Sequence, residues 1–301
     1  MAYEYWRVLD ALGCQVIVVG RGSSSAKLFH EKTGLMPLIK SLDEIINSEP
    51  INFAIIATSV ENLAPVCIKL LQLHVKNILL EKPGALYKKD LETIHLLASQ
   101  LNANVVIAYN RRFYDSVLQA KEIIRQDGGV LSANFDFTEW SHQIADLPIR
   151  NEVKQRWFLA NSSHIVDLAW HLIGRPRELF SKVIGCLPWH EAGSKFIGGG
   201  ISELNIPFSY HANWSGPGRW SLELITKKHK LIFRPIEVLS IMELGSVQIK
   251  DFQKKDVADS LKPGLLVQVE KFLKSDFIDM CDIKDQLNQY SSFLRMANYD
   301  N

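Results

Sequence analysis

The first hundred residues alternate between short apolar runs and amphipathic stretches with helical spacing. Four runs are typical of buried strands: Gln15–Val19, Ile51–Ala57, Lys76–Leu80 and Val105–Ala108. Five stretches around them predict helices: Tyr3–Leu12, Ser25–Thr33, Ser41–Asn47, Val60–Leu73 and Lys88–Leu101. Because strand and helix alternate strictly, the pattern predicts a doubly wound parallel sheet of the Rossmann-like α/β class.

The second half of the chain has a different rhythm. Seven segments have the composition or alternation of strands: Val130–Trp140, Glu178–Pro188, Ser202–Trp214, Trp220–Thr226, Lys230–Arg234, Val238–Leu244 and Ser246–Phe252. Three helices are predicted among or after them: Ser163–Ile173, Leu265–Leu273 and Lys284–Met296. We therefore expect an open, mainly antiparallel sheet here, and two domains, 1–110 and 111–301.

Composition narrows the class of protein. The 301 residues carry 34 Lys and Arg against 33 Asp and Glu, a net charge of +1, so no strong field favours nucleic acid or an acidic membrane. No apolar run approaches the length of a membrane span, and the charged N-terminus does not resemble a signal peptide. Four scattered cysteines without a Cys/His cluster argue against zinc and disulfides. These features favour a cytoplasmic protein without a metal site.

Lys82 is the first candidate for chemistry. The sequence Glu81-Lys82-Pro83 directly follows the predicted strand Lys76–Leu80, and the carboxyl ends of parallel strands are where such sheets bind ligands. Pro83 restricts the preceding residue and favours an outward lysine. A surface lysine in a tight loop is the alternative interpretation.

A second candidate is a stripe on the predicted helix Ser163–Ile173. His164, Asp167 and His171 fall at i, i+3 and i+7, on one face. A carboxylate beside imidazoles orients them for proton exchange near neutral pH. A capping or core-edge histidine pair is the alternative, and a metal site is the less favoured one because the spacing differs from H-E-x-x-H.

A third candidate is the loop after Gln15–Val19. In a dinucleotide-binding sheet, the end of the second strand faces the adenosine ribose, where an acidic residue accepts the 2′-hydroxyl. Here the loop offers Arg21, Ser23 and Ser24, which suit a 2′-phosphate better. A solvated loop without a ligand is an equally open interpretation.

Five segments together resemble a known family. They are Ala57-Thr58-Ser59, Glu81-Lys82-Pro83, Tyr109-Asn110-Arg111-Arg112-Phe113, His164-x-x-Asp167 with His171, and Lys262-Pro263-Gly264-Leu265 with Gln268-Val269-Glu270. In this order they resemble the glucose–fructose oxidoreductase/inositol dehydrogenase (Gfo/Idh/MocA) family. The resemblance implies an NAD- or NADP-dependent oxidoreductase that moves hydride to or from a sugar, sugar acid or nucleotide sugar, with Arg21 favouring NADP.

The resemblance also implies roles for individual residues. Lys82 and His171 would handle the substrate proton, with Asp167 orienting them. The cofactor would lie against Arg21, Ser23, Ser24, Ala57, Thr58, Ser59, Glu81 and Lys82. The candidates for gripping the sugar are Arg112, Arg156, Trp157 and His164. The resemblance further implies a homo-oligomer formed through the outer face of the C-terminal sheet, where Trp140, Phe135 and Phe137 are candidates unless they pack in the core.

One departure from the family pattern concerns the N-terminus. The family opens with a strand and a G-x-G-x-x-G loop that approaches the pyrophosphate, whereas this sequence starts at the predicted helix Tyr3–Leu12. We therefore expect Gln15–Val19 and Ile51–Ala57 to lack a hydrogen-bonded neighbour, and cofactor affinity to be reduced. The alternative function is that of a catalytically impaired relative that binds a sugar or a sister subunit.

Overall fold

The computed structural model describes residues 1–252 and 261–299. Twelve strands are present in this part of the chain: β1 Phe53–Ile56, β2 Asn77–Leu80, β3 Asn104–Ile107, β4 Ser132–Asp136, β5 Pro176–Ile184, β6 Lys195–Ser202, β7 Pro207–Asn213, β8 Ser221–Ile225, β9 His229–Phe233, β10 Ser240–Glu243, β11 Ile249–Asp251 and β12 Cys281–Asp282. Its α-helices are α1 Ala2–Ala11, α2 Ser23–Thr33, α3 Leu42–Ser48, α4 Leu63–Gln72, α5 Lys88–Leu101, α6 Asp115–Asp127, α7 Ser141–Ala145, α8 Asn151–Gln155, α9 Ser163–Ile173, α10 Leu265–Leu273 and α11 Ile283–Ala297.

The chain divides into two compact units. The first is Met1–Ala108 with Ser260–Lys284, and the second is Tyr109–Asp259 with Asp285–Asn301. The predicted domains, 1–110 and 111–301, include the segment around α10 in the second. This segment lies in the first unit because β12 pairs antiparallel with β3 and α10 packs against α1, and a helical period does not reveal which sheet its helix covers.

The first unit is a four-stranded sheet in the order β1-β2-β3-β12. The first three strands are parallel, with Ile56 opposite Leu80 and Leu80 opposite Ile107. Three consecutive β2 residues, Ile78, Leu79 and Leu80, are fully buried, as expected for a strand covered on both faces. Helix α3 starts with a capping box, in which Ser41 and Glu44 satisfy each other's backbone N–H groups.

The predicted strand Gln15–Val19 is wrong. In the described part of the chain this segment forms only a single bridge, between Val19 and Leu38, and Ile17 is exposed. Among the described residues, strand β1 pairs with β2 alone and forms an edge of the sheet. A β-branched run becomes a strand only where a neighbour accepts its backbone hydrogen bonds, which is why the local pattern was insufficient here.

The second unit is an eight-stranded sheet in the order β11-β10-β9-β8-β4-β7-β6-β5. The pair β4–β7 is parallel and the other pairs are antiparallel, so the predicted mainly antiparallel sheet is confirmed. Strand β6 is not among the predicted strands, because glycines usually mark turns and this strand contains Gly198-Gly199-Gly200. Here the glycines let the backbones of β5 and β7 approach closely. Helix α6 is likewise not among the predicted helices.

Aromatic side chains fill one face of the larger sheet. Phe135 and Phe137 are fully buried, and Phe137 meets Phe158 edge-on at 5.3 Å between ring centroids. These two residues therefore belong to the core rather than to the outer face. Trp140 is 42% exposed and donates a hydrogen bond from Nε1 to the Gly218 carbonyl.

The described residues contain no helix that is both long and apolar enough to cross a bilayer. Within the same residues, no group of three or more His, Cys, Asp or Glu side chains is placed to hold a metal ion.

Candidate functional site

The lysine loop of the first unit begins where β2 ends. Glu81 is buried, and its backbone N–H donates to the Ile56 carbonyl at 3.0 Å. Its Oε1 accepts a hydrogen bond of 2.7 Å from the Tyr5 hydroxyl. Burial raises the pKa of Tyr5 well above its usual value, and the Glu81 carboxylate raises it further, so the phenol remains a donor. Helix α1 thereby fixes the residue before half-buried Lys82.

Gly84 closes this loop against the core. Its N–H donates to the Glu81 carbonyl at 3.0 Å, and its φ of +84° lies in the left-handed region. A side chain at this position would come within 2.9 Å of Ile107 Cδ1. The turn that carries Lys82 therefore depends on glycine here.

The segment Ala57, Thr58 and Ser59 follows β1, the parallel neighbour of β2. Ser59 begins a short 3₁₀ turn, and its Oγ accepts a hydrogen bond of 2.7 Å from Asn62. Because parallel strands end at the same edge of a sheet, these residues and the lysine loop share the carboxyl edge of the first sheet. The structure thus brings together the two loops that the sequence analysis assigned to the cofactor.

Arg21, Ser23 and Ser24 lie at the start of α2. All three are exposed, and Gly22 is the N-cap residue, without a side-chain hydrogen bond to the first turn. The first backbone N–H groups of α2 are therefore not capped by a side chain, and Arg21 directly precedes the N-cap residue. Both features attract an anion.

Helix α9 has the predicted bounds, Ser163–Ile173, and its Asp167 is buried against Arg112. Nε and Nη2 of Arg112 donate to the two carboxylate oxygens at 2.8 and 2.6 Å. Asp167 is 1% exposed and Arg112 is 8% exposed. A third hydrogen bond, of 3.3 Å, comes from the Gln289 side-chain amide. The sequence analysis gave Asp167 and Arg112 separate roles, whereas the structure makes them a bidentate ion pair.

The two histidines of α9 differ in their surroundings. His164 is buried, and its ring lies 5.7 Å from the Tyr109 ring and 6.2 Å from the Trp220 ring. His171 lies in the last turn of the helix and is half-buried.

Arg156 and Trp157 lie after α8, in a different aromatic environment of the second unit. The Arg156 guanidinium is 5.5 Å from the centroid of the Tyr299 ring. Trp157 meets Trp189 edge-on at 6.4 Å. Arg156 thus lies against Tyr299 and Trp157 against Trp189, whereas the rings at His164 are those of Tyr109 and Trp220.

A cluster that the sequence analysis did not identify lies beside His164. The Trp220 ring has the Arg111 guanidinium at 4.7 Å and the Arg219 guanidinium at 4.6 Å from its centroid. Arg219 also donates to buried Glu139 at 2.9 Å. In the sequence, the adjacent residues Arg219 and Trp220 are the one signal that indicates this cluster, because arginine stacks well on indole faces.

A doubly wound sheet with a lysine loop on its carboxyl edge, joined in one chain to a large antiparallel sheet, defines a two-unit protein of the dinucleotide-binding α/β class. In sequence, residues 4–109 match the Gfo/Idh/MocA model, described as an oxidoreductase family with an NAD-binding Rossmann fold. The predicted resemblance to this family and the predicted fold class are confirmed.

One known relative is similar to part of the chain. The chain is 24% identical over 157 residues to scyllo-inositol 2-dehydrogenase (NADP(+)) IolW of Bacillus subtilis (strain 168), a match covering 49% of this chain and 42% of that protein. The match thus spans less than half the length of this relative.

Solved structures share the fold over nearly the whole chain. An oxidoreductase from Agrobacterium radiobacter in complex with NAD+, L-tartaric acid and magnesium superposes with a TM-score of 0.79 at 13% identity, covering 97% of this chain and 91% of that one. Levoglucosan dehydrogenase in complex with NADH and levoglucosan gives 0.77 at 15% identity, with 99% and 93% covered. UDP-N-acetylglucosamine 3-dehydrogenase GnnA from Acidithiobacillus ferrooxidans gives 0.76 at 13% identity, with 98% and 92% covered.

Proposed function

We propose that this protein is an NAD(P)-dependent oxidoreductase that transfers hydride between a nicotinamide cofactor and a hydroxyl or keto carbon of a sugar, sugar acid or nucleotide sugar. The observation that carries the proposal is Lys82 at the carboxyl end of β2, in a region that matches an NAD-binding Rossmann fold. The Tyr5–Glu81 hydrogen bond and the Gly84 turn hold that loop rigidly, as a site for proton transfer requires.

The first unit has residues that fit the cofactor. Arg21 and the start of α2, which has no side-chain cap, suit an adenosine 2′-phosphate because they combine a cation with free backbone donors. Ala57, Thr58, Ser59, Glu81 and Lys82 share the carboxyl edge of the sheet, where the nicotinamide end is expected. The arrangement favours NADP over NAD through Arg21, and the NADP(+) specificity named for the Bacillus relative agrees.

The chemistry divides between the cofactor and the chain. When bound, the nicotinamide would supply or accept the hydride. In the first unit, Lys82 holds or moves the proton of the substrate hydroxyl at Nζ. In the second unit, His171 is a candidate for proton transfer at an imidazole nitrogen. Asp167 acts as a positioning residue, since its carboxylate is fixed by Arg112 and Gln289. His164 borders the sugar site, with Arg156 and Trp157 as weaker candidates for contacts with the substrate.

The test separates cofactor binding from turnover. Wild-type protein is titrated with NADPH and NADH by nicotinamide fluorescence and assayed for reduction of NADP⁺ or NAD⁺ with a panel of sugars and sugar acids. Lys82→Met should still bind NADPH, whereas turnover falls by about 100-fold or more. Lys89→Met, at an exposed position on α5, is the matched control and should retain turnover. Equal turnover in both variants would refute the role of Lys82.

A second candidate function is that of a catalytically impaired relative that binds a sugar or a sister subunit. The open edge of β1 and the single bridge formed by residues 15–19 favour it, because among the described residues they leave β1 with one free side beside the candidate cofactor site. Sugar binding by calorimetry without binding of NADPH or NADH at millimolar concentration would select this alternative.

The proposal includes a homo-oligomer in the cytoplasm. On the outer face of the second sheet, Phe180, Ile184 and Ile197 are at least 43% exposed on two adjacent strands, and exposed apolar patches favour association. All four cysteines are free, in keeping with a reducing compartment. Phe180→Glu should lower the molar mass measured by light scattering, whereas Leu244→Glu at the β10–β11 turn should not.

A further inference from the structure

Arg111 occupies an unusual position for an arginine in the second unit. Its guanidinium lies between two aromatic rings, 4.7 Å from the Trp220 centroid and 5.9 Å from the Tyr114 centroid. Its Nε is buried and has no hydrogen-bond partner among the described residues. A buried guanidinium donor without an acceptor costs free energy, so the position calls for a functional explanation.

The surrounding charges do not neutralise Arg111. Burial lowers the pKa of its guanidinium, and the positive charge of Arg219 adds to that effect, while Tyr114, Glu237 and Glu139 act in the opposite direction. Glu237 is exposed to solvent, which screens its charge.

Glu139, the buried carboxylate of the cluster, is committed elsewhere. It accepts hydrogen bonds from Arg219 at 2.9 Å, from Ser162 at 2.7 Å and from Asn161 at 2.9 Å. Arg219 and Glu139 therefore compensate each other, and Arg111 carries the excess positive charge of the cluster.

We propose that Arg111, stacked on Trp220 beside His164, is the binding site for an anionic group of the substrate, either a carboxylate or a phosphate. This inference rests on the proposed function and restricts it to acidic sugars. Arginine suits this task because its planar fork donates two parallel hydrogen bonds to either group. Trp220 holds the fork in place by cation–π contact. Arg219 is the second guanidinium on the same ring and fixes that ring through Glu139.

The proposed anion site uses neither of the two arginines that the family resemblance implies for binding the sugar. Arg112, the neighbour of Arg111, donates a bidentate pair of hydrogen bonds to Asp167. Arg156 lies against the Tyr299 ring. Consecutive arginines on one 3₁₀ turn, Asn110–Phe113, thus have different roles: Arg112 is bound within the fold, and Arg111 has donor capacity to offer.

The experiment uses three probes that share one sugar ring: glucose, glucuronate and UDP-glucose. Their binding to wild type, Arg111→Gln, Arg111→Lys and Arg125→Gln is measured by calorimetry without cofactor. Arg125 is an exposed arginine of the same unit, paired with Glu122, and its variant controls for a general loss of positive charge. Urea unfolding of each variant verifies that it is folded.

We expect wild type to bind glucuronate or UDP-glucose at least about tenfold more tightly than glucose, as charge-assisted hydrogen bonds imply. Preference for glucuronate identifies a carboxylate site, and preference for UDP-glucose identifies a phosphate site. Arg111→Gln should abolish the preference, Arg111→Lys should retain part of it, and Arg125→Gln should retain all of it.

Two results would overturn the inference: no preference for either anionic probe in wild type, which includes failure to bind any of them, or an unchanged preference in folded Arg111→Gln. Failure of the proposed function is distinguishable, because it is the absence of hydride transfer with every sugar and does not affect equilibrium binding. Turnover of neutral sugars with no anionic preference would refute the anion site alone.

Discussion

Arg112 and Asp167, 55 residues apart in sequence, form a bidentate ion pair in the interior of the second unit, with N–O distances of 2.8 and 2.6 Å. The pair joins the 3₁₀ turn Asn110–Phe113 to helix α9, which carries both candidate histidines. It therefore fixes the backbone on which His164 and His171 depend. The desolvation cost of a buried ion pair offsets much of its electrostatic attraction. The main contribution of this pair is therefore to position the two elements that it joins.

Removal of one charge from this pair should be strongly destabilising. Asp167→Asn leaves the Arg112 guanidinium buried without its carboxylate, and we expect a loss of about 3–5 kcal/mol in the free energy of unfolding. Urea unfolding measures it. The double variant Asp167→Asn with Arg112→Gln should lose less than the sum of the single variants. The exposed pair Glu122–Arg125 supplies the control, since solvent screens it and Arg125→Gln should leave the free energy of unfolding nearly unchanged.

The free energy of unfolding should decrease as the pH is lowered, because His190 is buried in its neutral form. This fully buried residue contacts the Gly193 carbonyl through Nδ1 and the Tyr299 hydroxyl through Nε2, each at 2.7 Å. Burial lowers its pKa to about 4, against about 6.5 in an unfolded chain. The unfolded state therefore binds a proton more readily below pH 6.5. Stabilisation by neutral His190 is full above that pH and is lost progressively as the pH falls from 6.5 towards 4.

The loss in the free energy of unfolding is at most about 3 kcal/mol, which follows from the difference between the folded and unfolded pKa of His190. It is measured by urea unfolding between pH 7 and pH 4. His190→Gln should have a shallower pH dependence than wild type, and His142→Gln, at an exposed position on α7, should keep the wild-type slope. Identical slopes for wild type and His190→Gln would contradict the assignment.

Tyr5→Phe should weaken the lysine loop without touching Lys82. The variant deprives buried Glu81 of its 2.7 Å hydrogen bond, and an unsatisfied buried acceptor costs about 1–3 kcal/mol. We expect that loss in unfolding free energy, together with weaker NADPH binding in a fluorescence titration. Tyr87→Phe changes an exposed tyrosine of the same unit and should leave NADPH affinity unchanged. Wild-type affinity in Tyr5→Phe would show that the loop does not need this contact.

Gly84→Ala should destabilise the protein more than Gly34→Ala. Both glycines have positive φ, +84° and +74°, so both variants incur a backbone cost of about 1–2 kcal/mol. Only Gly84 also meets core atoms, with Ile107 Cδ1 at 2.9 Å, whereas Gly34 has open space. Thermal unfolding of the two variants isolates the steric part, and equal melting temperatures would show that the Ile107 side chain moves aside freely.

The sequence by itself determined most of the local structure and the general class. The bounds of α9 and α10, the capping box at Ser41, and the position of Lys82 after β2 follow from periodicity, caps and neighbouring residues, all of which act over a few positions. The family resemblance depended on the same kind of information, because short motifs keep their order along the chain whatever they contact.

Only the tertiary structure decided which residues meet. In the structure, Gln15–Val19 forms a single bridge instead of a strand, and α10 and β12 belong to the first unit. Asp167 pairs with Arg112, whereas Arg111 stacks on Trp220. Two adjacent arginines are equivalent in sequence, and their partners lie 55 and 109 positions away. Local propensity cannot select among such distant contacts, because they depend on how sheets and helices pack and on which buried donors find an acceptor.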